Sequence, residues 1–465
     1  MRPRGDTGLL RVALESGALT HADGGARIEA RDVALHAVDY VPVTVPSYFE
    51  NPSGDYPDPL RPVTPRNVEP GESATFWITV NARRSLPPGR YTGTLTLTTS
   101  DYAAVPLTLE VEVWPFALPR TPTLQTDFGW SLETATRAAF EAGGSGRGLE
   151  AAWLAHALDH RITLREAAAL PGPGADFGGS LARFDARVDE LRDGGATTFY
   201  VPPGLLDMPE QLARANEFVV RKGLRGRAFT QLADEPTPPV WPNVLERVER
   251  WNALAPDIRP MVTTAGLSPF LPPALGQWAV HAQVLDTTNA QQILERVTSG
   301  ENVWWYVNHA PPRPYPNFFI DFAAIEHRVF FWHTWGIGMR GVHYWRVDYL
   351  APAMDPQWGL QDITPANGDG LLLYPGPDGP VNTIRFEVLR DGIEDYDLLT
   401  LFRQRVNALA ERGGSEALIE EARAELDLDA IIPNLVGFTR EPEALLAKRE
   451  ALASLLVRIE EALQR

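Results

Sequence analysis

The sequence predicts a multidomain protein of the β and α/β classes, with an N-terminal β-sandwich, a (β/α)8 TIM-like barrel and a C-terminal helical extension. Three observations support this fold class. Residues 1–117 alternate apolar and polar positions in short runs that Pro and Gly turns separate. Between residues 120 and 383, strand-like runs alternate with helical ones. Residues 384–465 have spaced apolar positions that are typical of helices alone.

The N-terminal domain is predicted from runs with a period of two residues. Such runs cover 75–80, 93–98 and 107–113, and a Pro-Pro-Gly turn at 87–89 separates two of them. Short alternating strands with turns of this kind favour an immunoglobulin-like sandwich. The Trp-Pro-Phe-Ala-Leu-Pro segment at 114–119 breaks the pattern, so we place the linker there. The domain is short, which suggests a truncated start.

The barrel prediction depends on eight strand-like runs with helical segments between them. These runs are 124–130, 161–163, 198–201, 227–232, 258–264, 280–286, 303–308 and 341–347. Eight such units predict a closed parallel barrel, and the carboxyl ends of its strands then surround one mouth.

Composition restricts the function. Of the 465 residues, 44% are hydrophobic and 22% charged, which is normal for a globular protein, and the formal net charge is -18. This acidic balance argues against a nucleic-acid partner, because binding to phosphates needs a basic surface. The chain has no Cys, so disulfides and thiolate chemistry are excluded.

Localisation and cofactors follow from what the sequence lacks. No apolar run is long enough to span a bilayer, and no signal peptide follows the basic start, so we expect a cytoplasmic protein as written. Export remains an alternative if the start is truncated. The His residues lack metal-site spacing, and we expect neither a metal nor an organic cofactor. The sequence does not predict an oligomeric state.

The most informative motif is Asp234-Glu235-Pro236, directly after the run 227–232. Pro236 cannot donate to a sheet ladder, so the strand should end there and place two carboxyl groups at its carboxyl tip. Adjacent carboxyl groups can divide the roles of proton donor and charged stabiliser, as cleavage of a glycosidic bond requires. The alternative is a solvated helix start, with Asp as N-cap and Pro in the first turn.

Polar and aromatic residues at the other strand ends complete a predicted carbohydrate site. Carboxylates and amides bind sugar hydroxyls, and aromatic faces pack on the apolar side of the ring. Helix caps, turns or core packing are the alternatives for each residue. The predicted substrate-binding residues are Asp127, Tyr200, Asp286, Trp304, Tyr306, Asn308, Trp345 and Asp348, with Asn289 and His309 just beyond two strand ends.

The seventh strand favours an unusual mechanism. Many barrel glycosidases carry a carboxylate nucleophile at its end, but here the end is aromatic, and Glu301 lies at the opposite end of the strand. This favours attack by the 2-acetamido oxygen of the substrate itself. Asp127, Asp286 or Asp348 as a conventional nucleophile acting on another sugar remains an alternative, as does a non-catalytic carbohydrate-binding protein.

Several longer motifs resemble the catalytic domain of glycoside hydrolase family 123 and its wider group of uncharacterised relatives. They are LADEP at 232–236, WWY at 304–306, PNFFID at 316–321, GVHYW at 341–345, GDG at 368–370, YPG at 374–376 and IRFEVLRDGIEDY at 384–396. The resemblance covers most of residues 30–400.

The resemblance implies a retaining β-N-acetylgalactosaminidase that works through an oxazolinium intermediate. Its implied site residues are Asp234, which orients the acetamido group, Glu235, which is the general acid and base, and Tyr306, which holds the acetamido carbonyl. The implied partner is a glycan that contains N-acetylhexosamine. We expect the conspicuous Arg390-Asp391-Gly392 motif to be structural and to tie the C-terminal helix to the barrel.

Overall fold

A computed structural model gives the architecture and describes residues 8–264, 276–286, 290–349, 366–434 and 436–464. Asn289 therefore lies outside the described residues. The N-terminal strands are β1 (Leu9–Ser16), β2 (Leu19–His21), β3 (Arg27–Ile28), β4 (Val33–Val43), β5 (Gly54–Pro62), β6 (Arg66–Val68), β7 (Phe76–Val80), β8 (Gly89–Thr98) and β9 (Val105–Val113).

These strands belong to two antiparallel sheets. One has the order β3-β2-β8-β1-β6, with β9 also paired to β8, and the other contains β5, β4 and β7. Leu19 and Tyr91 from the first sheet and Val33 from the second contribute to one buried cluster. Residues of the two sheets therefore contact each other in this cluster, and the immunoglobulin-like sandwich stays a prediction.

A parallel sheet of seven described strands follows. They are β10 (Gln125–Phe128), β11 (Phe199–Tyr200), β12 (Ala228–Ala233), β13 (Arg259–Thr264), β14 (Gln277–His281), β15 (Asn302–Tyr306) and β16 (Gly341–Tyr344). Their order is β10-β16-β15-β14-β13-β12-β11. The mixed β and α/β class is therefore confirmed.

The predicted second strand is irregular. Instead of a strand at 161–163, Leu164 pairs with Phe128 and Ala169 pairs with Tyr200 as isolated bridges. This segment therefore contacts both edges of the seven-stranded sheet without joining it as a regular strand. A complete eight-stranded barrel stays a prediction.

Among the described residues, seven α-helices accompany the parallel sheet. They are α1 (Leu132–Glu141), α2 (Leu149–Asp159), α3 (Phe177–Asp193), α4 (Pro209–Arg221), α5 (Trp241–Leu254), α6 (Ala290–Thr298) and α7 (Ala324–Ile337). The two neighbouring tryptophans of β15 face opposite sides, as strand geometry requires. Trp305 stacks on Phe330 of α7, with ring centroids 4.3 Å apart, whereas Trp304 packs with Phe229 and Met261 on the other face.

The last part of the chain joins the two regions. It contains β17 (Tyr374–Pro375), β18 (Pro380–Thr383), α8 (Ile384–Glu411), α9 (Glu416–Glu425) and α10 (Pro442–Gln464). Strand β18 pairs antiparallel with β5, so these two late strands extend the second N-terminal sheet. Thr383 caps α8 by accepting a hydrogen bond from the Phe386 amide. None of the described helices is both long and apolar enough to cross a membrane.

Candidate active site

The adjacent acids Asp234 and Glu235 follow the carboxyl end of β12, and both are exposed. Helix α5 begins only at Trp241, so Asp234 does not cap it. Glu235 has a φ of +43°, in the left-handed region that side chains with a Cβ rarely adopt. Backbone strain of this kind costs about 1–3 kcal/mol and is concentrated at functional sites.

Two neighbours hold the Asp234 carboxylate. Its Oδ1 accepts a hydrogen bond of 2.6 Å from the Thr263 hydroxyl and one of 3.0 Å from Gln231 Nε2. The same Thr263 oxygen accepts the Glu235 amide at 3.0 Å. Thr263 on β13 therefore fixes both the carboxylate of one acid and the strained backbone of the other.

Tyr306 contacts the second acid. It is the last residue of β15, and its hydroxyl donates to Glu235 Oε1 at 2.5 Å. Burial raises the pKa of Tyr306, and its hydrogen bond to Glu235 raises that pKa further, so the hydroxyl stays a donor at neutral pH. The rings of His281 and His343 meet Tyr306 edge-on, with centroids 5.1 and 5.7 Å away. Tyr306 is thus positioned by packing on two sides.

Asp127 is a buried member of an ion pair. Its side chain is 0% exposed, and Arg165 donates to both of its oxygens at 3.0 and 2.5 Å. His343 Nδ1 lies 2.8 Å from Asp127 Oδ2. Burial alone would raise the pKa of Asp127, but Arg165 and His343 outweigh it and lower this pKa to about 2. The carboxylate is therefore charged and enclosed.

Arg165 connects this ion pair to the exposed acids. Its Nη1 donates to Gln231 Oε1 at 3.0 Å, and the guanidinium lies 5.2 Å from the centre of the Tyr200 ring. Burial raises the pKa of Tyr200 to about 12, with Arg165 opposing the shift. Sequence reasoning missed Arg165, Gln231 and Thr263. Candidate site residues were expected at the carboxyl ends of the predicted strands. Thr263 lies near the end of the fifth predicted run, so its position could have indicated it.

The remaining predicted site residues differ in burial and in their hydrogen-bond partners. Trp304 is 0% exposed and forms part of the buried cluster that also contains Tyr306. Trp345 is half-buried and donates through Nε1 to Asp369 Oδ1 at 3.0 Å. Asn308 follows β15, and its Oδ1 accepts the Ala310 amide at 3.0 Å.

Asp348 is buried, whereas His309 is exposed. The Asp348 carboxylate pairs with Arg346 Nε at 2.6 Å and accepts the Ser131 amide at 3.2 Å. Asp286 ends a short 3-10 turn at Ala282–Asp286, and its side chain lies outside the described residues. Within the described part of the chain, no three His, Asp or Glu side chains are grouped so as to hold a metal ion.

Comparisons with known proteins give a match to one family model and a similar fold. Residues 208–402 match the family model of the glycoside hydrolase 123 catalytic domain. The chain is similar to the solved structure of a family 123 glycoside hydrolase from Clostridium perfringens, described in connection with glycolipid glycan hydrolysis. The TM-score is 0.68 at 14% identity, over 98% of this chain and 89% of that one. This likeness shows the fold alone.

A second solved structure is a family 39 glycoside hydrolase from Bacteroides cellulosilyticus WH2. It has a TM-score of 0.37 at 12% identity and covers 82% of this chain and 80% of that one. No curated protein matches the sequence significantly.

Proposed function

We propose, from the match of residues 208–402 to the catalytic domain of glycoside hydrolase family 123, that this chain is a retaining β-N-acetylgalactosaminidase. Its substrate would be a glycan that contains N-acetylhexosamine. The family 123 relative from Clostridium perfringens is described as hydrolysing glycolipid glycans, which supports a glycoconjugate as substrate. The observation that carries the proposal is the exposed pair Asp234 and Glu235 at a strand end, each held by a defined hydrogen bond.

The proposed reaction has two steps and needs no protein nucleophile. In the first, the acetamido oxygen of the substrate attacks the anomeric carbon while the glycosidic C–O bond breaks. Glu235 gives its proton to the leaving oxygen. The ionised Asp234 accepts the acetamide N–H and stabilises the positive oxazolinium ring.

In the second step, water attacks the anomeric carbon. The Glu235 carboxylate takes a proton from this water, and the bond between the anomeric carbon and the acetamido oxygen breaks. Glu235 regains the proton that it donated, and the product keeps the original anomeric configuration.

Tyr306 is the proposed donor to the acetamido carbonyl. In the structure its hydroxyl donates to Glu235 Oε1. A bound acetamide would take this hydrogen bond over and release Glu235 toward the leaving oxygen. The raised pKa of Tyr306, caused by burial and by Glu235, keeps the proton that this role requires.

The surroundings of two aspartates argue against the conventional mechanism. Asp127 is enclosed, with both oxygens bound to Arg165, and Asp348 is 2% exposed and paired with Arg346. A nucleophile must reach the anomeric carbon, and neither carboxylate has a free approach.

Nitrophenyl glycosides test the proposal directly. The panel contains the β-linked N-acetylgalactosaminide, N-acetylglucosaminide and galactoside, and nitrophenol release is measured. We expect turnover of the first at the highest rate and almost none of the galactoside, which lacks the internal nucleophile. Equal turnover of the galactoside would favour a conventional nucleophile. Binding without turnover of any of them would favour a non-catalytic protein.

A further inference from the structure

We propose that Arg165 and Gln231 are positioning residues that hold the Asp234 carboxylate in the orientation that an acetamide N–H requires. This inference rests on the proposed function and extends it to two residues that do not themselves meet the substrate. Its basis is an unbroken series of hydrogen bonds from the buried Asp127 to the exposed Asp234.

The amide of Gln231 can present either its oxygen or its nitrogen to a neighbour. Arg165 can only donate, and its Nη1 lies 3.0 Å from Gln231 Oε1. The amide nitrogen must then face the other way, where Nε2 donates to Asp234 Oδ1 at 3.0 Å. Arg165 therefore orients the Gln231 amide so that its nitrogen donates to Asp234.

Arg165 is itself anchored by Asp127 and packs against Tyr200. Asp127 binds two of its nitrogens in a fork, and the ring of Tyr200 lies 5.2 Å from the guanidinium carbon. The arginine side chain is 13% exposed and the aspartate side chain 0%. A planar guanidinium has a third nitrogen left for Gln231, whereas a lysine ammonium cannot reproduce this geometry.

These contacts determine which oxygen of Asp234 is available to the substrate. With Thr263 and Gln231 both donating to Oδ1, this oxygen is occupied, and Oδ2 is left to accept from the substrate. Losing the Gln231 donor leaves the Thr263 hydroxyl as the remaining donor to Oδ1, so the carboxylate is held less firmly about its broad, soft terminal torsion. Stabilisation of the oxazolinium would fall, because it depends on a prearranged negative charge.

The decisive variant is Gln231→Met, which keeps the side-chain length and leaves the pair of Asp127 and Arg165 intact. We expect kcat on the N-acetylgalactosaminide to fall by about 10²-fold, the usual effect of a misplaced catalytic group, with a smaller change in KM. Arg165→Lys should act in the same direction. Arg165→Met is a poorer test, since it removes the guanidinium that neutralises the buried Asp127 charge and therefore threatens folding.

The readout that a merely structural role would not change is the ratio of two inhibition constants, that of N-acetylgalactosamine divided by that of a thiazoline mimic of the oxazolinium ring. Loss of positioning weakens binding of the thiazoline and lowers this ratio, whereas general loss of folded enzyme changes neither constant. The matched control is Arg458→Met, which removes an exposed arginine whose two bonds to Glu421 are 2.6 and 2.7 Å. We expect wild-type kinetics for it.

Each outcome decides between the two proposals. A wild-type protein that hydrolyses the N-acetylgalactosaminide, combined with an unchanged ratio in Gln231→Met, would overturn the positioning role and leave the proposed function standing. A wild-type protein that hydrolyses no member of the panel would refute the proposed function instead. A lowered ratio in both Gln231→Met and Arg165→Lys would support the inference.

Discussion

At the scale of single residues, Glu235 combines an exposed carboxyl group with a left-handed backbone and a 2.5 Å hydrogen bond from Tyr306. We predict that Glu235→Gln lowers kcat on the nitrophenyl N-acetylgalactosaminide by about 10²–10⁴-fold, because an amide cannot donate and recover a proton in the reaction. The matched control is Glu249→Gln, an exposed glutamate on α5. Wild-type turnover in Glu235→Gln would remove this residue from the acid/base role.

Asp234 leads to a different prediction, because its proposed partner is the acetamide and not the leaving group. Asp234→Asn keeps the shape but removes the charge that stabilises the oxazolinium, so kcat on acetamide-bearing substrates should fall by about 10²-fold or more. Any residual rate on the plain galactoside should change much less. Steady-state kinetics on both substrates checks this, and equal losses on the two would contradict the acetamide role.

The sequence could predict which residues stand at strand ends, but it could not predict how deeply they lie. Asp234, Glu235 and Tyr306 were found by the strand-end rule, and they come together in the structure. Asp127 was found by the same rule, yet it is enclosed, because its partner Arg165 comes from the irregular segment after α2. Trp304 is buried as well. The alternation of a strand predicts the face on which a side chain lies, but it does not predict whether that face is exposed.

At the scale of elements, α7 and α8 pack unusually closely at Gly392. A Cβ added there would lie 2.3 Å from the Phe331 ring and 3.1 Å from the Arg328 carbonyl oxygen. Alanine favours a helix by about 1 kcal/mol over glycine. Overpacking in a core costs about 1–3 kcal/mol, so we predict a net loss of stability for Gly392→Ala.

Thermal unfolding measures this effect, with a lowered Tm expected for Gly392→Ala. The matched control is Gly178→Ala in α3, where the added Cβ would meet the movable end of Arg214 at 2.9 Å. That variant should be neutral or slightly more stable. A Tm at or above the wild-type value for Gly392→Ala would show that the two helices can separate without cost.

Helices and strands differ in how far local sequence specifies them. Helix α8 has its own start signal in Thr383, and the predicted helical region begins beside it at residue 384. The hairpin of β17 and β18 pairs with β5 more than 300 positions earlier, where Asn382 lies opposite Leu60. Sequence periodicity is local, so it contains no signal for a partner at that distance.

At the scale of the whole molecule, a buried ion pair joins the N-terminal sheets to the C-terminal helix. Asp58 on β5 accepts bonds of 3.0 and 2.9 Å from Arg385 on α8, and the Tyr374 hydroxyl donates to it at 2.9 Å. We predict that Asp58→Ala lowers the free energy of unfolding by about 3–5 kcal/mol, because it leaves the arginine buried without its partner. Urea unfolding measures this, with the exposed Asp55→Ala as control. A loss below about 1 kcal/mol would mean that the two regions are held together by other contacts.

Buried histidines make the stability of the whole molecule depend on pH. His327 and His333 both lie in α7 and are 2% and 1% exposed. Burial lowers the pKa of His327 to about 3, with a further contribution from Arg385, and burial lowers that of His333 to about 4. An unfolded histidine has a pKa near 6.5. Protons therefore bind more strongly to the unfolded chain between these values.

The stability that these neutral histidines contribute is therefore fully present above about pH 6.5 and is lost as the pH falls toward 4. At pH 5, each should cost about 2 kcal/mol of unfolding free energy relative to pH 7.5. Asp127, whose pKa Arg165 and His343 lower to about 2 against burial, should add to the loss only below about pH 4. Urea unfolding at pH 7.5, 6 and 5 measures the slope. His333→Gln should flatten this slope, and a wild-type stability that is constant from pH 7.5 to 5 would contradict the burial of neutral imidazoles in α7.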